Sequence, residues 1–243
     1  MIPLAGLIAA GRAPTVSQRV TRQRWGEIMG TADRDQTVKG RKDATAGAPE
    51  APSADIGHMH FRRMDEMTRA DYDVLQKVHQ TNLQQLPGLL LGLLDSLGGD
   101  AAYPVDRRTH SLQAATRALR DGRDEEYVVV ALLHDIGEAL GPLNHGEVIA
   151  AILRPFISEA NYWTLFHHPL FQTYYYGARV GVDPNGRDAY REHPCFARTA
   201  EFCALYDEVS FDPDYPNEPI ATFIPMVHRI LAKQWVPPSP STS

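Results

Sequence analysis

The sequence holds only two cysteines, Cys195 and Cys203, too few for a disulfide framework. They fall in one segment of helical character, so reduced core thiols and a cytoplasmic, reducing setting are expected. Positive charge is short: 24 Lys and Arg stand against 30 Asp and Glu, for a net charge of -6. That balance excludes a nucleic-acid binder working through bulk charge. No apolar run is long enough to cross a membrane as a helix. Strand-like alternation and internal repeats are missing as well. What remains is an all-α reading, with packed helices as the building material.

The chain has 243 residues, 43% of them hydrophobic, which suits one globular domain and a tail. Residues 1–60 look different from the remainder. Arg12, Arg19, Arg22 and Arg24 precede the first acid, Glu27, a faint likeness to an organellar transit peptide. Thr31 to Asp55 has no periodicity and reads as disorder or linker. Gly57-His58-Met59 looks like a cloning junction. Residues 1–60 are therefore read as a disordered or non-native leader, 61–236 as the domain, and 237–243 as a disordered tail.

Within the domain, helical spacing runs from Phe61 to Leu97, with Pro87 expected to break or restart it. Arg107 to Arg120 follows, closed by Asp121-Gly122. Asp124-Glu125-Glu126 puts acids at the start of the next helix, favourable against its dipole. Asn144 to Glu147 resembles a capping box, with His145 in the first turn. Ser158-Glu159 opens a helix through His167-His168, where Pro169 should bend or restart it. Asp183 to Gly186 is a turn, His193-Pro194 opens a helix to Tyr206-Asp207, and Phe223 to Trp235 closes the domain. The sum is six to eight helices.

The chain is organised around Val128 to Leu133, an apolar run that ends in His134-Asp135-Ile136-Gly137. Ionisable groups at the edge of a core are costly unless paired or bound to a metal. In order along the chain come His110, His134-Asp135, His145, His167-His168 and Asp207. Imidazoles with carboxylates suit iron, manganese or zinc rather than calcium or magnesium alone. Five or six such ligands with one shared aspartate suffice for two metals. Taken singly, a histidine is most often a satisfied core or capping residue, and a first-turn position explains His145 alone. No metal role is expected for His79, His193 or His228.

This H…HD…H…H…D order resembles the HD-domain superfamily over about residues 100–235. The resemblance implies a helical bundle around a dinuclear metal site. Most members of that superfamily are metal-dependent phosphohydrolases. A smaller branch holds mixed-valent diiron oxygenases, including myo-inositol oxygenase and the phosphonate-cleaving oxygenase. The local sequence looks more like that branch: Pro104-Val105, then His110 in His110-Ser111-Leu112-Gln113-Ala114-Ala115, and Tyr206-Asp207. By this likeness His110, His134, Asp135 and Asp207 hold one iron. Asp135, the residue placed at the centre of catalysis, bridges to a second iron held by His145 and one of His167 and His168, with a slight lean to His167.

The chain departs from those relatives where they bind substrate. Phe171 or Gln172, Ala204 and Glu138 stand where the likeness implies cationic residues, and Tyr103 stands in place of a gating glutamate. Tyr103, Glu138, Gln172 and Tyr174 are the expected substrate contacts. Glu138 with Trp163 and Tyr174 to Tyr176 would suit a cationic or amine-bearing molecule; the plainer alternative pairs Glu138 with Arg154 and puts the aromatics in the core. The expected activity is oxidation or cleavage of a small polar molecule by O2, with two mixed-valent iron ions. The alternative is a phosphohydrolase using manganese, zinc or magnesium. Phosphate substrates usually need basic residues near the metal, and Arg107, Arg108 and Arg154 are the nearest in sequence. The sequence leaves the oligomeric state open.

Overall fold

A computed structural model describes residues 57–99 and 102–233. The expected leader up to residue 56, Trp235 and the tail lie outside the described residues. The described residues fall in one compact unit spanning 53–243. They form seven α-helices and short 3-10 turns, with no strand among the described residues. The all-α expectation holds.

The helices are α1 (Arg69–Ser96), α2 (Arg107–Arg120), α3 (Glu125–Leu133), α4 (His145–Leu153), α5 (Glu159–Val180), α6 (Phe196–Phe202) and α7 (Ile220–Leu231). Side-chain caps fix several starts, because each satisfies an amide left over in the first turn. Thr68 and Asp71 form a reciprocal capping box on α1. Asp106 accepts from Thr109 N at 2.7 Å, and Asp124 from Tyr127 N at 2.9 Å.

Helix α3 is the central strut. Tyr127 to Leu133 are all buried, so the helix is apolar all round and takes α2 on one side and α7 on another. Leu90 and Leu94 of α1, Ile149 and Leu153 of α4, Leu165 and Phe171 of α5, and Phe223 and Val227 of α7 complete the core.

Three local expectations are corrected. Neither Pro87 nor Pro169 breaks its helix: α1 and α5 run through both. Asn144 stands at the start of α4 without a side-chain cap bond, so the capping box there does not form. Helix α6 starts at Phe196 rather than at Pro194 and passes into a single π turn, Cys203–Asp207. Such turns recur at functional sites because the extra residue re-aims the side chains that follow.

Candidate metal centre

His134 and Asp135 sit where α3 ends and a 3-10 turn, Ile136–Ala139, begins. The apolar helix drives this point into the core, and the change of winding turns both side chains to one place. Gly137 lets the backbone of α4 pass: a Cβ there would overlap the carbonyl of His145. His110 comes from α2, one turn past its cap, and is buried. Asp207 ends the π turn, and Tyr206 anchors that turn by accepting from Arg123 Nε at 2.7 Å and donating to Asp121 at 3.1 Å.

Helix α5 brings His168, not His167, to the same place. His168 Nε2 lies 3.4 Å from Asp135 Oδ1 and 3.2 Å from His145 Nε2. The lean to His167 is corrected. Its Nδ1 faces the Trp163 carbonyl at 3.1 Å and its ring stacks on Trp163 at 3.9 Å, with His193 stacked on Trp163 at 4.4 Å. Adjacent residues on an unbroken helix point about 100° apart, so the two histidines cannot share a site. Pro169 has no amide to give the Leu165 carbonyl, four residues back. That carbonyl instead accepts from His168 Nδ1 at 2.7 Å, which aims the ring.

The assembled set is His110, His134, Asp135, His145, His168 and Asp207. Three overlapping groups bring their ligand atoms within 4.8 Å of one another: His110, His134 and Asp135; His134, His168 and Asp207; Asp135, His145 and His168. His110, His134 and His168 each turn Nδ1 to a backbone carbonyl, of Ser210, Ala131 and Leu165. A carbonyl only accepts, so Nδ1 carries the proton and a neutral ring presents a lone pair at Nε2. Those lone pairs face one another, His110 to His134 at 3.1 Å and His145 to His168 at 3.2 Å. With both rings neutral such lone pairs repel, and in the metal-free protein a proton on the raised His134 eases the conflict. A shared cation removes the conflict, since two nitrogens each about 2.1 Å from one ion at right angles stand about 3 Å apart. The residues fit a metal.

The electrostatics agree. Burial acts to raise Asp207, but hydrogen bonds and charge from His110 and His134 outweigh it and hold the carboxyl well below the usual carboxylate range. Asp135 is held low in the same way, with His134, His168 and His110 opposing the penalty of burial. Burial pulls His134 down, but Asp135 and Asp207 beside it lift it to about 9 in the metal-free protein. His145 is lowered, mainly by burial. The carboxylates are charged and ready to bind a cation.

A cavity of about 450 Å³ opens onto the cluster. Its wall includes Tyr103, Arg107, Asp135, Glu138, His145, His168, Gln172, Tyr176, Asp207 and Phe211. Tyr103, Glu138 and Gln172, the expected substrate contacts, line this cavity. Gln172 Nε2 donates to Asp207 Oδ1 at 3.1 Å. Tyr174 does not line the cavity; its ring packs under Arg187 at 3.5 Å, while Tyr176, half a turn on, faces in. Trp163 is absent from the wall too, being buried in its stack. Glu138 pairs with Arg107 at 2.7 Å rather than with Arg154, which lies over Tyr162. Sequence reasoning left Arg107 unplaced. Its position one helical turn before His110 was the available signal, because residues three apart share a face.

Residues 107–205 match the family model described as HD domain. The match supports the HD-domain superfamily for this chain, and with the histidine–aspartate cluster it supports a metal-dependent enzyme. The HD segment takes in five of the six converging side chains, and Asp207 lies two residues beyond its end. No curated protein matches this chain. Among the described residues no helix is long and apolar enough to cross a membrane.

Proposed function

We propose that the protein is a diiron oxygenase that uses O2 to oxidise or cleave a small polar organic molecule. One observation carries the choice. The six-residue cluster is rich in imidazole, and the cavity over it has a single basic wall residue, Arg107, already paired with Glu138. A phosphate ester brings two negative charges or nearly so, and a site built for it concentrates cations. Away from the ligand carboxylates, the wall's one arginine and one glutamate offset each other, which suits a polar molecule of low net charge. The free thiols Cys195 and Cys203 fit a cytoplasmic setting.

Iron bound in mixed-valent form would supply Lewis acidity and the electrons for oxygen activation. The chain's own residues do the rest. His110, His134, Asp135 and Asp207 form the inner holding group, and Asp135 reaches from it to His145 and His168. Fixed Nδ1 partners keep the rings from turning, so the ligand set is arranged before substrate enters. Tyr103 stacks on Phe211, which stacks on His110, and the three rings screen the inner ligands from water. Arg107, Glu138 and Gln172 offer charge and hydrogen bonds to orient the substrate.

Protein purified without added metal is expected to carry about two irons per chain, to give a mixed-valent paramagnetic signal, and to consume O2 with its substrate. A second reading, a phosphohydrolase, draws on Arg107 in the cavity wall, which places one cation where a phosphoryl oxygen could meet it. Release of phosphate with manganese or magnesium and no need for iron would establish that reading and remove the first.

A further inference from the structure

Among the converging imidazoles, His145 is supported differently from the others. His110, His134 and His168 turn Nδ1 to backbone carbonyls at 2.9, 2.8 and 2.7 Å. The Nδ1 of His145 faces Glu138 Oε1 at 3.1 Å, and the second oxygen of Glu138 takes Arg107 at 2.7 Å. A backbone carbonyl is a neutral dipole held by the main chain. A carboxylate pulls harder on the N–H it receives and makes the far nitrogen a stronger base. It is held only by its own side chain and by Arg107. The side chain of Glu138 is 17% exposed and that of His145 16%, so both are within reach of whatever fills the cavity.

We infer that Glu138 is the positioning residue for His145: it fixes the ring with Nε2 toward Asp135 and His168, while Arg107 holds Glu138 in place. Among the described residues Glu138 is the partner at Nδ1 of His145, and Asn144 makes no side-chain cap bond at the start of α4. The wall cation and one end of the metal cluster are therefore joined through a single carboxylate. This inference rests on the metal-centre reading and not on the choice between oxygenase and hydrolase.

The test uses the full chain loaded with Fe2+ without oxygen, with metal retention against a chelator as the readout and no turnover involved. Wild type is expected to hold two equivalents. Glu138→Ala is expected to weaken one equivalent about 10- to 100-fold, the usual cost of losing such a partner, and to leave the other unchanged. Glu138→Gln keeps a weaker acceptor in the same place and is expected to fall between. It also carries the test if Glu138→Ala does not fold. Retention equal to wild type in a folded variant, or equal weakening of both equivalents, overturns the inference alone. A wild-type chain that takes up neither Fe2+ nor, in the same assay, Mn2+ or Zn2+ overturns the metal-centre reading with it.

Discussion

The two ends of the ligand cluster differ in how they are held. At the inner end, His110 and His134 have side chains 1% and 0% exposed, backbone carbonyls at Nδ1, and Phe211 and Phe202 against their rings. At the outer end, beside the buried and carbonyl-held His168, Asp135 and His145 are 16% exposed, and the support of His145 comes from an ionic side chain that also lines the cavity. Backbone and aromatic packing give a geometry set by the fold. Side-chain ion pairs give a geometry that answers to charge. The inner end is built to hold, and the outer end to meet what enters.

The comparison breaks most completely at Asp135, whose Oδ2 faces His110 and His134 and whose Oδ1 faces His145 and His168. Asp135→Ala is expected to lose both metal equivalents and all activity, with metal content as the check. Retention of one equivalent would mean that the ends do not share this residue. The ends then separate with His110→Ala and His145→Ala. The first unstacks Phe211 and leaves the buried Ser210 carbonyl unpaired, so it should destabilise the metal-free fold by about 1–3 kcal/mol. The second should cost the metal-free fold less than about 1 kcal/mol, because its partners stay near solvent. Thermal unfolding of the two metal-free variants reads the contrast directly.

A smaller effect comes from a purely structural ion pair far from the cluster. Glu126 joins α3 to α5 and the end of α7, accepting from Ser158 N, Asn161 and Lys233. Burial acts to raise its carboxyl, but Lys233 and the other donors outweigh that and draw it from 4.5 down to about 2. A depressed carboxyl gives stability that is present above pH 4.5 and lost as pH falls through about 2. Glu126→Gln should flatten that acid limb in unfolding measured against pH, with metal content unchanged. The smallest effect is expected from His167→Ala. It removes a ring from the Trp163 stack and leaves both metal equivalents in place; loss of either would return His167 to the ligand set.

Much of this site was legible in the chain. The run Val128 to Leu133 had to be buried, and its end in His134-Asp135 had to carry ionisable groups to the edge of the core. The helix starts read at Arg107, at Asp124-Glu125 and at Ser158-Glu159 are those the structure has. Pro169 does not restart its helix, although a proline removes one of the hydrogen bonds that hold it. Here the freed carbonyl found another donor, the ring of His168. Tyr174 was misread because a run of adjacent tyrosines gives no helical phase until the packing of α5 sets one.

The sequence by itself determined the helical class, the order of the imidazoles and carboxylates, and the burial of the helix that carries the central pair. These follow from periodicity, capping and the cost of burying charge, all of which act over a few residues. Only the tertiary structure decided that His168 and not His167 joins the cluster, that Gly137 admits the backbone of α4, and that Arg107 meets Glu138 over His145. Each depends on the rotation of one helix against another. That rotation is fixed by side chains dozens of residues apart, which no local pattern records.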